Sequence, residues 1–571
     1  MKEKLDELTI DNFRVFAGSN TFKFTDLNIY TGANNSGKST IIKAIKLFSE
    51  GLAKSDFPAL NLITEDSNLG SYDCIVNKFS GKKNFKVGFT TKIAAIDETF
   101  RIVYTFSDGK ENDEQFRETA LFANLEVINP DGVVFLGIYA SFPHDEDERF
   151  EVSVDFPSES GDPGLVYFRL NVSLLEKYLP SISDIDFSPL LEQLNLIKGR
   201  DNYWWGEAFN EDDYSLVNYD ISTLHLKDFL EDLLLDPYFN LAEYDSKKTL
   251  YFGDNNGDNL DFLRQGYIDF LESVNYLGFV RQVIHPILAA IKSGLDLFRN
   301  NNVLHIVSDI TQERLIKNNN QSEYLQRLYR TLDVSENVRF IRESFALFNI
   351  DGLVEIITHL NSAFEINLIT DVSATRLKTI RDAGEPGTLK NLSALLWESM
   401  SDYESNPRIN IADLGKGTAN IIKLVLKIAS ILFAYREEKK KNVDLRERQG
   451  RESEPFIKKT ILIEEPEAFL HPNWQSRLVD FFFYCLKEYD VQFIVETHSV
   501  YLIQRLQFLV AKGEFDPEHA TILYFNPNDK DEKFYRLNIR KDGILRESFG
   551  TGFYDETANL TADILNAQNI N

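Results

Sequence analysis

Cysteine is nearly missing from this chain: Cys74 and Cys485 are the two present in 571 residues. Two thiols cannot build a disulfide framework, and without a CxxC pair they do not supply a structural zinc site. A reducing compartment fits that usage. No run of about 18 consecutive apolar residues occurs, so a transmembrane helix is not expected. The stretch Met1–Leu8 lacks the apolar centre of a signal peptide, so a cytoplasmic location is expected. Positive charge is in deficit: 61 Lys and Arg stand against 89 Asp and Glu, for a net charge of −28. Such a chain repels nucleic acid on average, which disfavours strong non-specific duplex binding but leaves room for a local basic groove. Sustained a/d heptads are absent, which argues against a long coiled-coil arm. No internal repeat, HExxH pair, Gly-x-Ser-x-Gly elbow or nuclease motif is present.

What is there is a large apolar inventory, with 43% hydrophobic and 13% aromatic residues. That suffices for a sizeable core, and the length calls for two or three structural units. Residues 7–16 alternate like a half-buried strand, and Leu27 to Tyr30 form a second short strand. The chain then enters Gly32-Ala33-Asn34-Asn35-Ser36-Gly37-Lys38-Ser39, followed by Thr40 and by Ile41, Ile42, Ile45 and Phe48 at helical spacing. Strand, Gly-rich loop and helix make up the context a P-loop requires. Gly32 and Gly37 permit the tight path. Amides of Asn34 to Ser39 can wrap a β-phosphate at a helix N-terminus. Lys38 would reach the β- and γ-phosphates, the Ser39 hydroxyl would ligate Mg2+, and Thr40 would sit beside the α-phosphate.

Three further motifs carry chemistry. An apolar strand Ile461-Leu462-Ile463 ends in Glu464-Glu465-Pro466, the Walker B arrangement. There Glu464 would hold the metal through water and Glu465 would polarise the attacking water as general base. A second buried strand ends in Glu496-Thr497-His498-Ser499, which places an imidazole, His498, near a γ-phosphate. The Gly-rich turn Asp413-Leu414-Gly415-Lys416-Gly417-Thr418 precedes a helix expected from Ala419, and is a second anion site. Other features read more plainly. The acidic run Asp145–Glu148 is a solvated turn rather than a metal site. The charged stretch Arg436–Arg451 is a solvated helix end and loop, with a nucleic-acid or partner contact as the competing reading. Glu467 and His471 lie four apart, but Pro466 and Pro472 argue against a helical metal pair.

Residues 84–172 read as β-rich, 173–400 as mainly helical, and 411–505 as α/β again, with two further strands and a tail over 521–555. In order along the chain, Asn12-Phe13-Arg14, the P-loop, the Gly-rich turn, Glu464–Pro472 and Glu496–Ser499 resemble the ABC-type ATPases of the RecF/SMC/OLD group. Within it, the chain is most similar to stand-alone bacterial AAA-family ATPases associated with defence. Leu69–Val76 is similar to a Leu-Gly-Ser-Phe segment of that subgroup, and Phe549–Glu556 to its Gly-Phe-Phe-Asp tail. The resemblance covers about 1–80 and 405–560 well.

The resemblance implies an α/β fold: an ABC-type P-loop ATPase head, of mixed sheet plus β-rich lobe, with a large mainly helical insertion. The N-terminal half of the head would span 1–172, the insertion 173–404, and the C-terminal half 405–571. ATP and Mg2+ would be the cofactors. Two copies would meet head to head, with the P-loop of one facing Gly415, Lys416, Gly417 and Thr418 of the other. Leu470-His471-Pro472 would be the D-loop and His498 the switch histidine. Glu464 replaces the usual Walker B Asp, and Gly415 the Ser of transporter signatures, so slow turnover is expected. Only about 70 residues follow His498, so TOPRIM nuclease activity is not expected. Two functions compete. One is an ATPase that dimerises or oligomerises with ATP and controls a separate nuclease or toxin in anti-phage defence. The other is a RecF-like DNA-maintenance ATPase that binds DNA directly.

Overall fold

A computed structural model describes residues 4–51, 59–63, 68–93, 96–108, 119–139, 166–182, 203–208, 303–307, 335–350, 353–358, 364–369, 408–449, 457–526 and 533–550, with 287, 290, 291, 294, 297, 298, 555, 559, 560, 563 and 564. The Asp145–Glu148 turn lies outside them. In chain order come β1 (Glu7–Asp11), β2 (Asn20–Lys23), β3 (Leu27–Gly32), α1 (Lys38–Lys46), β4 (Ala59–Asn61), α2 (Tyr72–Ile75), β5 (Phe85–Ile93), β6 (Glu98–Asp108), β7 (Thr119–Ile128), β8 (Val134–Tyr139), β9 (Val166–Asn171) and α3 (Val172–Ile182). They are followed by β10 (Tyr203–Ala208), β11 (Val303–Val307), α4 (Ser335–Leu347), β12 (Leu353–Thr358), β13 (Phe364–Ile369), β14 (Arg408–Asn410) and α5 (Lys416–Gln449). The last are β15 (Thr460–Glu464), α6 (Pro472–Tyr489), β16 (Gln492–Glu496), α7 (Val500–Ala511), β17 (Ala520–Phe525) and β18 (Phe534–Leu537).

The chain divides into two compact units. One holds residues 5–24 and 39–303. Its nine-stranded sheet runs β10-β9-β8-β7-β6-β5-β1-β2, with β4 on β7, and its neighbouring strands pair antiparallel. Aromatic side chains fill its core: Phe13, Phe85, Phe89, Phe100, Tyr104 and Phe106 are all at most 1% exposed. The strand expected over 7–16 stops at Asp11, because Asn12 and Arg14 take left-handed backbone angles (φ 54° and 53°). Asn12 Nδ2 donates to the Lys82 and Asn84 carbonyls, and the Arg14 amide donates to the Ile75 carbonyl at 2.5 Å. The Asn12-Phe13-Arg14 turn is thereby tied to the Leu69–Val76 segment, which holds α2.

The other unit holds residues 1–4, 25–38 and 304–571. Its six-stranded sheet runs β11-β15-β16-β3-β17-β18. β15, β16, β3 and β17 are mutually parallel, and β18 closes the edge antiparallel to β17. Parallel strands covered on both faces read as continuous apolar runs, and Ile461–Ile463, Phe493–Val495 and Leu27–Tyr30 are fully buried. Polar insertions in these strands are paired. Asn28 Nδ2 donates to the Phe493 carbonyl at 3.0 Å, and Gln492 Oε1 accepts from the Thr460 hydroxyl at 2.9 Å. Helices α6 and α7 are joined by Arg505, whose Nε donates to both Asp480 oxygens at 3.0 and 3.1 Å.

Helix α5 starts at Lys416 and runs unbroken through Gln449, so the charged stretch from Arg436 to Gln449 is helical. Its segment Lys416–Lys441 is long and apolar enough to cross a membrane by length and composition, which differs from the expectation of no such segment. Ile421, Ile422, Val425, Ile428, Leu432 and Phe433 of that segment are buried in the sheet-facing core, as in the core helix of a folded domain. Strands β11, β12 and β13 fall between residues 303 and 369, and β11 is an edge strand of the six-stranded sheet.

Candidate functional site

The site is built at the carboxyl ends of β3, β15 and β16. Register places Glu464 opposite Glu496 and Glu496 opposite Tyr30, so β15 and β16 end level and β3 runs two residues further, to Gly32. Beyond β3 the chain turns through Gly32, with φ at 131°. A Cβ at Gly32 would fall 2.2 Å from the Phe525 carbonyl oxygen of β17. Only glycine fits there, on both conformational and steric grounds. Gly37 (φ 112°) and Asn35 (φ 59°) complete the loop, Asn being among the residues that tolerate the left-handed region. Ala33, Asn34 and Asn35 are exposed and Ser36 is buried, its hydroxyl donating to the Ala33 carbonyl at 2.7 Å. Ser39 and Thr40 lie in the first turn of α1.

Lys38 is the centre of the charge pattern. It is 4% exposed, and its Nζ donates to the carbonyls of Ala33 at 2.7 Å and Gly32 at 3.2 Å. Burial lowers its pKa, opposed by the fields of Glu496, Glu465 and Glu467. Three carboxylates therefore face one ammonium. Glu465 sits in a left-handed turn (φ 46°), strained for a non-glycine residue, and its amide donates to the Glu496 carbonyl at 2.8 Å. That turn lifts the exposed Glu465 side chain out of the strand direction that Glu464 follows. Glu467 is buried; its Oε1 accepts the His498 amide at 2.5 Å, and its Oε2 has no hydrogen-bond partner among the described residues. Desolvation pushes the Glu467 carboxyl above the usual range, against the lowering effect of that hydrogen bond.

His498 follows β16 by two residues, with Thr497 held by its amide to the Tyr30 carbonyl at 2.9 Å. Burial, and next the positive field of Lys38, hold its imidazole below the ordinary histidine value. Ser499 then caps α7: its hydroxyl oxygen accepts from the Leu502 amide at 3.2 Å and donates to Gln475 Oε1 at 2.7 Å. Residues between Pro466 and Pro472 form a turn, and α6 begins at Pro472 with His471 as N-cap. Glu467 and His471 therefore do not share a helix.

The Gly415–Thr418 turn meets a different set of partners. A Cβ at Gly417 would lie 2.9 Å from the Phe469 carbonyl, and Asn420 Nδ2 donates to the Ala468 carbonyl at 3.2 Å. The Lys416 ammonium stands 5.6 Å from the centre of the 62% exposed Phe469 ring. Gly415 itself is exposed with open space around it. The turn and the Ala468–Leu470 segment thus form one surface, while Lys38, Glu465, Glu467, Glu496 and His498 form another group. Glu464, level with Glu496 on the next strand, has its Oε1 2.6 Å from Nε2 of His305 on β11.

The donor set fits a polyphosphate with a divalent cation. Loop amides, Lys38 and the first turn of α1 suit phosphate oxygens, whereas the carboxylates would repel them without a cation between. Among the described residues, no cluster of three or more His, Cys, Asp or Glu side chains could hold a metal alone. Fold and site together define a P-loop ATPase domain. The chain belongs to the AAA ATPase domain family, whose model matches residues 4–158 and 190–503. Among solved structures it is similar to the Smc head domain of Pyrococcus furiosus bound to the C-terminal domain of ScpA, at 14% identity over 98% of this chain and 99% of that one, with a TM-score of 0.32. It is similar also to the SMC head domain from Thermotoga maritima, at 12% identity over 94% and 100% of the two chains and a TM-score of 0.31. Recombination mediator RecF, solved with an ATP analogue, matches at 14% identity over 92% and 98%, with a TM-score of 0.29. No match was found among the curated proteins.

Proposed function

We propose that the chain binds ATP with Mg2+ at residues 32–40 and hydrolyses it slowly, using the binding state to control assembly. The placement of Lys38 carries this reading. It is buried at the end of a P-loop, inside the fields of Glu465, Glu467 and Glu496. Gly32, Asn34, Asn35, Ser36, Gly37 and Lys38 would cradle the phosphates, with Thr40 beside the α-phosphate. Ser39 directly and Glu464 through water would hold Mg2+, which when bound draws charge off the phosphate oxygens. Glu465, exposed beside the loop, would take a proton from the attacking water. His498, kept neutral by burial and Lys38, offers a hydrogen bond to the γ-phosphate end rather than a charge. Phosphate release tests the assignment. Wild type should turn over, Glu465→Gln should bind ATP yet release no phosphate, and equal inertness of the two would leave a binding module without hydrolysis.

The second half of each site would come from another copy, through the turn of Gly415, Lys416, Gly417 and Thr418, which is exposed at Gly415 and Lys416. A homodimer or higher homo-oligomer that forms with ATP and opens on hydrolysis follows. Such a switch, in the cytoplasm, would hold or release a separate effector protein, a nuclease or toxin, in anti-phage defence. The net charge of −28 supports a protein effector over nucleic acid. One observation favours the RecF-like alternative: Lys439, Lys440 and Lys441 stand exposed toward the end of α5. Duplex binding that weakens steeply with salt and is lost when these three become Glu would support direct DNA binding. Unchanged, negligible binding in both proteins would leave the effector reading.

A further inference from the structure

Glu464 differs from the usual metal-side residue of its position by one methylene, and that difference has a mechanical consequence. A Glu side chain has one more rotatable bond than Asp, so its carboxylate is held less firmly by the strand that carries it. A misplaced carboxylate loses most of its value at a hard cation that demands near-ideal octahedral geometry. Something outside β15 must therefore fix it. The neighbouring edge strand β11 supplies His305, whose Nε2 lies 2.6 Å from Glu464 Oε1. Both side chains are largely shielded, at 15% and 27% exposure. An ionised carboxylate only accepts, so Nε2 carries the hydrogen and donates.

We propose that His305 is the positioning residue of the metal-side carboxylate. It holds Oε1 of Glu464 through an Nε2–H donor and so fixes the rotamer in which the carboxylate would meet the cation's water shell. The inference rests on the reading of Glu464 as a metal-side group. It also explains why a strand from residues 303–307, far in sequence from both P-loop and Walker B, is built into this sheet. A donor to one carboxylate oxygen sets the rotamer and steers the remaining lone pairs, as outer-shell partners of metal ligands do.

The test measures binding of a fluorescent ATP analogue while Mg2+ is titrated, without reference to turnover. In EDTA, wild type, His305→Ala, His305→Phe and His305→Gln should bind the nucleotide alike. With Mg2+, His305→Ala and His305→Phe should need roughly tenfold more metal for the half-maximal gain in affinity. His305→Gln retains a donor and should fall within about threefold of wild type. The phenylalanine variant keeps a ring in the strand, so a fold defect in the alanine variant leaves the measurement intact. A wild-type Mg2+ midpoint in His305→Phe would overturn the proposal. Glu464→Gln run in parallel separates the two failures. If it shifts the midpoint and His305→Phe does not, the positioning role fails alone; if neither shifts it, the metal-side reading of Glu464 falls as well.

Discussion

At the scale of single residues, the site is an arrangement of charges whose costs are unequal. Glu467 is buried, and one of its oxygens lacks a hydrogen-bond partner among the described residues. Its carboxyl is raised by desolvation, so its folded value lies above its unfolded one. The stabilising contribution of the protonated form is then complete below the unfolded value near 4.3 and is lost as pH rises through the folded value. Glu467→Gln keeps the acceptor for the His498 amide and removes the ionisation. At pH 8 the variant should be more stable than wild type by about 1–2 kcal/mol, the scale of an unsatisfied buried polar group. That advantage should close toward zero as pH falls to about 4.5. Paired melting curves across that range check it; a difference that stays constant with pH would assign the effect to packing. The same substitution tests whether Glu467 serves Lys38. Loss of its field should leave ATP affinity within about threefold of wild type, because Glu465 and Glu496 remain.

At the scale of elements, the segments after β15 and β16 are held together by one small polar relay. Gln475 on α6 donates through Nε2 to the Leu470 carbonyl at 3.0 Å and accepts through Oε1 from Ser499. Ser499 in turn caps α7 directly behind His498. Ser499→Ala should cost about 1 kcal/mol as a lost cap. Gln475→Leu, which strips partners from both the Leu470 carbonyl and the Ser499 hydroxyl, should cost about 1–3 kcal/mol. Because the two share a bond, the double variant should fall short of the sum by at least about 0.5 kcal/mol in a thermal or denaturant cycle. Strict additivity would show that the relay does not operate. Here the limits of reading a sequence become physical. Residues 32–39 were legible because a P-loop is contiguous, and Gly32 and Gly37 take the positive φ its path needs. Glu464 and Glu465 were legible because an apolar strand announces its own end. His305 was not, since a lone histidine in Val303–Val307 carries no local sign of the carboxylate it meets across a strand pair. The field of Glu467 and Glu496 on Lys38 was equally hidden, being a product of strand register rather than spacing. The start of α5 at Lys416 rather than Ala419 reflects Gly417 packing against the Phe469 carbonyl, a contact made 52 positions away in the chain.

At the scale of the whole molecule, the decisive question is whether one copy can complete its own site. The Gly415–Thr418 turn contacts the Ala468–Leu470 segment, while the P-loop group is gathered around Lys38. Gly415 has nothing near the place a side chain would occupy. An aspartate there fits its own chain without strain, yet would set a negative charge where a facing copy's γ-phosphate is proposed to lie. Gly415→Asp should therefore melt like wild type and bind ATP as a monomer, but release no phosphate. Lys38→Ala should fail earlier, at nucleotide binding. Mixed in equal amounts, the two inactive proteins should recover activity if the sites are shared by a two-fold pair. Neither protein pairs with itself, so the pairs that form are mixed, and each has one site with Lys38 and an unmodified facing turn where wild type has two. The expected phosphate release is at most about half the wild-type rate at equal total concentration. Recovery should rise more steeply than linearly with protein concentration, since it depends on association. A mixture as silent as its components would place both halves of the site within one chain, and the ATP-dependent assembly proposed above would lose its basis.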